Sequence, residues 1–279
     1  MDIDPLSDTV PPRYAIESDE EEDEDNPLRV KPSASDVAPK IEVKILGNIA
    51  TGSNLVIASG DAGKIWAKGA NLGEQTATVA VNGVQIGLVF NPSWTEATVI
   101  ISEVLSRLPI YAMHPYAKAI LDALKPSRVA LLDSYPVPTY ATDVPINFHQ
   151  APLRFLSISG DAHFLEKDAK LFAPPNLLQS TSASFLSILN ISESNGTVIL
   201  IPSPHIPQPA PRQIAPSNIS HLTYDDDVEW DSQLINKAQN LLFQSIGEET
   251  KQTWVPLANQ TKDKLPKRNT EIGEGGMYI

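Results

Sequence analysis

The stretch Ser59–Trp66, SGDAGKIW, sets a hydroxyl, a carboxylate and an ammonium group around two glycines, the side-chain set of a phosphate-binding loop. That loop needs a glycine five positions before Gly63-Lys64 and a Ser or Thr after the lysine to hold magnesium; this chain has Ala58 and Ile65. The stretch therefore reads as a glycine-rich turn after a strand. SGDA recurs at Ser159–Ala162, again after an apolar run. Two such turns at strand ends can bind one ligand, since α/β sheets take ligands at their carboxyl edge. Four common loop residues also recur by chance. Ser159, Asp161 and His163 offer a hydrolase set, but no G-x-S-x-G elbow accompanies them, and the cluster reads as hydrogen-bonded turn chemistry. The histidines at 114, 149, 163, 205 and 221 form no HExxH and no i,i+4 pair, and cysteine is absent. No catalytic set, metal site or cofactor site is expected.

Composition narrows the classes further. Without cysteine there are no disulfides and no thiolate ligands, and MDIDPLSDTVPP has no basic-then-apolar signal pattern. No apolar run approaches the roughly 20 residues that cross a bilayer. The sequons at Asn190, Asn195, Asn218 and Asn259 read as chance in a chain with no export signal. A soluble protein of the cytoplasm, or also the nucleus, is expected. The formal charge of −13 is concentrated in residues 1–25, where eleven acids stand against Arg13 alone. The body is nearly neutral and has no basic footprint for nucleic acid beyond the short KDKLPKR. ESDEEEDEDNP repels itself and buries nothing, so residues 1–37 are expected to form a disordered acidic arm, with Ser18 in a context that suits acid-directed kinases.

Hydrophobic periodicity supplies the elements. KIEVKIL (Lys40–Leu46), NLVIAS (Asn54–Ser59) and ATVIIS (Ala97–Ser102) read as strands. TATVAVNGVQIGLVF is a hairpin about Asn82-Gly83, a type I′ turn pair. In HPYAKAILDALKP, Pro115 is placed to start a helix and Pro126 to stop it, and the strand RVALLD follows. Strand, helix, strand at this spacing is the βαβ unit of a parallel sheet. NLLQSTSASFLSILNI (Asn176–Ile191) predicts a helix and GTVILI (Gly196–Ile201) a strand. Six prolines in residues 201–216 make an extended surface loop. A last helix is led in by Asp225, Asp226, Asp227 and Glu229. It carries Leu234, Ala238, Leu241, Leu242 and Ser245 on one face and ends at Gly247. The expectation is one α/β domain over residues 38–250, with a mostly parallel sheet flanked by helices and a flexible tail over 251–279.

That tail ends EIGEGGMYI. Gly273, Gly275 and Gly276 loosen the approach, and from Pro266 onward a coil would span on the order of 20 Å. An apolar, aromatic tip with a free carboxylate suits a partner's pocket: a lysine for the carboxylate, a slot for Tyr278, an apolar wall for Met277. A hydrophobic-Tyr-any terminus is what proteasome activators and certain assembly chaperones insert between α-subunits of the core particle. VALLDSYPVPTY, APLRFLSIS, PPNLLQSTSASFLSILN and GTVILI, followed by this ending, together resemble the proteasome assembly chaperone 1 family, in order and spacing over roughly residues 95–279 and more loosely over 40–95.

The resemblance implies a Rossmann-like domain and a non-enzymatic chaperone. It implies pairing with a related second chaperone into a heterodimer on the outer face of the proteasome α-ring. Met277, Tyr278 and Ile279 are then the partner-binding residues, with Ile279 supplying the carboxylate. Two further readings stay open: an α/β enzyme acting on a nucleoside-like small molecule, and a proteasome activator or regulator with no assembly role.

Overall fold

A computed structural model describes residues 40–158, 162–218 and 230–256. The acidic arm, part of the second SGDA turn, His221, the acids at 225–229, KDKLPKR and Met277–Ile279 lie outside the described residues.

The described residues form one nine-stranded sheet in the order β1-β3-β4-β5-β2-β6-β9-β7-β8. In chain order its elements are β1 (Val43–Gly47), β2 (Leu55–Ser59), α1 (Gly60–Gly69), β3 (Gln75–Val81), β4 (Val84–Phe90), β5 (Thr98–Ser102), α2 (Ile110–Leu124), β6 (Val129–Pro136), β7 (Arg154–Ser157), α3 (His163–Glu166), β8 (Lys170–Leu171), α4 (Thr181–Ile191), β9 (Gly196–Ser203) and α5 (Ser232–Ser245). The centre, β5-β2-β6-β9, is parallel throughout. Helices cover both faces, so these strands are buried on both sides. That is why they read as unbroken runs such as LVIA, VALL and VILI and not as alternating ones.

The sheet is mixed, a correction to the mostly parallel sheet expected. The joints β1-β3, β3-β4, β4-β5 and β7-β9 are antiparallel, which equals the number of parallel joints. Tight hairpins require antiparallel neighbours, and the Asn82-Gly83 hairpin turns as predicted, at φ 48° and 81°. The β5-α2-β6 unit is present, with β2 lying between its two strands.

Four helices differ from expectation, among them α3, which carries His163 where only turn chemistry was read. SGDAGKIW is not a turn: the positive φ of Gly60 swings the chain from β2 straight into α1, and Ala62, Ile65 and Trp66 bury one face of that helix. Helix α2 begins five residues before Pro115, which sits inside it; Pro109 is the N-cap, and Lys125 closes the end in the left-handed region just before Pro126. Helix α4 begins only at Thr181 behind Ser180, so residues 176–180 are an extended lead-in. The last helix forms as expected. Asp231 caps it by accepting from the Gln233 N–H, and Gly247 at φ +82° completes a Schellman closure, with the Glu248 N–H reaching the Phe243 carbonyl at 3.0 Å.

The core divides across the sheet. On one face α1 and α5 bury Trp66, Leu241, Leu242 and Phe243 against Val56, Ala130 and Ile199. On the other α2 and α4 bury Tyr116, Ile120, Phe185 and Leu189 against Ile57, Leu131 and Leu200. The proline-rich loop runs over the surface and is tied to the β5–α2 connection. There Arg107 donates to the Gln208 carbonyl at 2.6 Å and Ser106 to that of Ala215 at 2.7 Å.

Candidate functional site

The parallel strands end together, and this carboxyl edge is where a sheet of this kind normally receives a ligand. The register sets Ser59 beside Ser102, with Asp133 one step past the Ala58–Leu132 pair. Ile57, Ile100 and Leu131, two residues earlier on the three strands, all belong to the α2/α4 core, so the polar row faces that side. Ser102 and Asp133 are bonded to neighbouring groups, whereas the buried Ser59 Oγ has no hydrogen-bond partner. Ser102 Oγ and the buried Tyr116 hydroxyl are 2.9 Å apart. Asp133 accepts from Ser180 Oγ at 2.5 Å, Ser182 Oγ at 2.7 Å and the Ser134 N–H at 2.8 Å, and so fastens the first turn of α4 to the end of β6. Glu103, at φ +59°, accepts from the Leu108 N–H at 2.9 Å and holds the loop that leads into α2.

Burial pushes the Asp133 carboxyl above the usual carboxylate range, against the lowering effect of its three donors. Burial also raises Glu103; its contact with Thr181 opposes this and the nearby Asp133 adds to it. Two carboxyls that resist ionisation at a strand edge have the chemistry of an acid–base pair. Here α4 closes over them, and their partners are structural. Gly63 serves packing: a Cβ there would meet the Ala58 carbonyl at 2.5 Å, so helix and strand could not lie as close. Ile65, at the position where a phosphate loop needs a hydroxyl, is buried in the core. Among the described residues no group of three His, Cys, Asp or Glu side chains gathers for a metal, and no helix is long and apolar enough to cross a membrane.

The predicted partner-binding residues Met277, Tyr278 and Ile279 lie outside the described residues, whereas the segment after α5 is described as far as residue 256. Past the boundary expected at 250, the segment after α5 folds back over α1 and α5. Glu248 begins it, accepting from Thr95 Oγ1 at 2.5 Å and Asn54 Nδ2 at 3.1 Å. Trp254, 5% exposed, seals it: its indole donates to the Trp66 carbonyl at 2.8 Å, while its backbone exchanges hydrogen bonds with the Asn236 side chain at 2.8 and 3.1 Å. Below it the buried Gln239 accepts from the Trp66 indole at 2.9 Å and donates to the Gln252 carbonyl at 2.7 Å. The ring packs so close to Gly69 that a Cβ there would meet it at 2.5 Å. An isolated tryptophan in the polar stretch KQTWVP was the sequence signal for this anchor.

No family model matches this chain, and no curated protein matches it. Among solved structures it overlays on PbaA of Pyrococcus furiosus, an archaeal homologue of proteasome-assembly chaperone. The TM-score is 0.51 at 12% identity, over 79% of this chain and 87% of that one. The two share a fold. PbaB of the same organism, an archaeal proteasome activator, gives 0.44 at 11% identity over 58% of this chain and 81% of its own. A proteasome-assembly chaperone homologue of Mycobacterium tuberculosis gives 0.33 at 14% identity, over 54% and 75%. Overlays as loose as these last two decide nothing about activity or partners.

Proposed function

We propose that this chain is a proteasome assembly chaperone, acting as a heterodimer with a related second chaperone on the α-ring of the core particle. Its tail docks between adjacent α-subunits. The observation that carries the reading is the terminal Met277-Tyr278-Ile279 on a chain that shares the fold of an archaeal assembly-chaperone homologue. In this reading the Ile279 carboxylate pairs with a pocket lysine, Tyr278 fills a slot that satisfies its hydroxyl, and Met277 lies on an apolar wall. A single short tail binds weakly; two tails on one heterodimer, together with body contacts, raise avidity through effective concentration.

The enzyme reading is the weaker one, since Ser102 and Asp133 at the carboxyl edge are engaged by Tyr116, Ser180 and Ser182 beneath α4. The activator reading differs in outcome and not in geometry, and stimulation of peptidase activity by the isolated protein would favour it.

The test is binding of the full chain to purified core particle. Deletion of Met277–Ile279 is expected to weaken binding at least several-fold, and one residue added after Ile279 to do the same by displacing the carboxylate. Undiminished binding by both variants rejects the docking role.

A further inference from the structure

Arg154, the first residue of β7, is only 7% exposed, and among the described residues no ion pair reaches it. Asp133, two residues before Tyr135 on β6, spends its oxygens on Ser180, Ser182 and the Ser134 N–H. Of the guanidinium donors, Nη1 reaches the Leu171 carbonyl at 3.1 Å, while the buried Nε has no hydrogen-bond partner. Two rings bracket the cation, Tyr140 with its centroid 3.8 Å from Cζ and Tyr135 at 5.5 Å. Stacking on aromatic faces returns part of the hydration lost on burial, but a buried cation without an opposite charge stays costly. A methionine would fill the same space without that cost, so packing does not account for this residue.

The bracket is itself held in place. Tyr135 donates to the Pro152 carbonyl at 2.7 Å. Tyr140 accepts from the Ala173 N–H at 3.3 Å and meets Tyr135 and Phe172 edge-on, at 5.2 and 5.5 Å between centroids. Arg154 faces Leu200 near the end of β9, and Tyr135 lies near the end of β6, so the cluster sits at the carboxyl edge of parallel strands.

We infer that Arg154, bracketed by Tyr135 and Tyr140, is the recognition group of a site for the carboxylate of a small acid. The side-on edge of a guanidinium, Nε with Nη2, offers two parallel N–H groups at the spacing of carboxylate oxygens. The bond from Nη1 to Leu171 leaves that edge clear. One positive charge between aromatic walls balances a monoanion, whereas a phosphate dianion would keep a second charge dehydrated and unpaired. Tyr140 is only half-buried and is followed by exposed residues 141–145, so it is the wall able to yield to a ligand. With so little of the cation at the surface, a small acid fits better than the broad face of a protein.

The test is thermal melting of the full chain near neutral pH in sodium acetate, against sodium chloride of equal ionic strength, with sodium phosphate as a third arm. Wild type is expected to melt at least about 2 °C higher in saturating acetate than in chloride. Each variant is read against its own chloride melt, so a lower starting temperature hides nothing. Arg154→Met should lose the acetate shift. Arg154→Lys should lose at least half of it, since an ammonium offers no parallel pair of donors. In a heteronuclear NMR spectrum the arginine Nε–H signal missing from Arg154→Lys should move as acetate is added to wild type. If Arg154→Met does not fold, the lysine variant and that signal decide. Wild type with no acetate shift beyond chloride, or either variant with the full shift, overturns the site. A larger shift in phosphate than in acetate overturns the choice of a carboxylate. Loss of core-particle binding by Arg154→Met, with wild type indifferent to acetate, hands the cation to a partner's carboxylate and overturns the small acid.

Discussion

The two faces of the sheet are held by different chemistry. Over α1 and α5 the polar groups are neutral: two indoles, Gln239, Asn236 and backbone carbonyls, each donor matched to an acceptor. Over α2 and α4 the corresponding duty falls to the buried Asp133 and the half-buried Glu103, carboxyls with raised pKa values. One face is thus held around Trp254 by neutral donors and acceptors and depends on a segment from the C-terminal part of the chain. The other depends on protonation and closes with elements from its middle. A single sheet carries both, so loss of either layer exposes the apolar faces of the same central strands.

The largest effect is expected on the neutral face. Trp254→Ala removes a buried aromatic ring and one of the two hydrogen bonds to the Trp66 carbonyl, at a cost of about 3–5 kcal/mol, readable as a lower urea midpoint. On the acidic face, Asp133→Ala leaves two hydroxyls and one N–H without their acceptor, a loss of about 2–3 kcal/mol. Its pH signature separates the two faces. A carboxyl whose folded pKa lies above its unfolded value stabilises most below the unfolded value, near 4, and that contribution is lost as pH rises through the folded one. The Asp133 contribution to stability is therefore expected to decline from about pH 4 upward through this window. Asp133→Asn should flatten the decline, and Trp254→Ala should lower the curve without changing its slope. An unchanged slope in Asp133→Asn would erase the distinction between the faces. The smallest effect is Lys118→Ala, which breaks an exposed i,i+4 pair with Asp122 and is expected to cost no more than about 0.5 kcal/mol by thermal melting.

The elements legible in the sequence were those whose signal is local. Asn82-Gly83 dictates its turn by backbone sterics alone, and the central strands announce themselves as short apolar runs. Helix α1 was not legible because SGDAGKIWAKG, with three glycines, is a poor helix by propensity; packing of Ala62, Ile65 and Trp66 overrides it. Pro115 misled for a related reason. A proline near the front of a helix usually marks its first turn, but here burial of Ala112 and Tyr116 draws the helix back to Ile110. The β7-β8 edge escaped because β8 has two residues and β7 four, too few to establish a period. Of the candidate site, the tail motif was readable as residues. The Trp254 clasp and the Asp133–Ser180–Ser182 lock join positions far apart in the chain, so no window along the sequence shows them.

Trp254 follows the last strand, β9, by about fifty residues, which at ribosomal speeds of roughly 5–20 residues per second is a delay of several seconds. During that interval a nascent chain owns its complete sheet while Trp66 still lacks its cover from α5 and Trp254. Any message truncated upstream of codon 254 yields a product with that greasy seam open, a form ready for capture by holdases or proteases. Translation order thereby couples delivery of the chain's final stretch to maturity of the body that bears it.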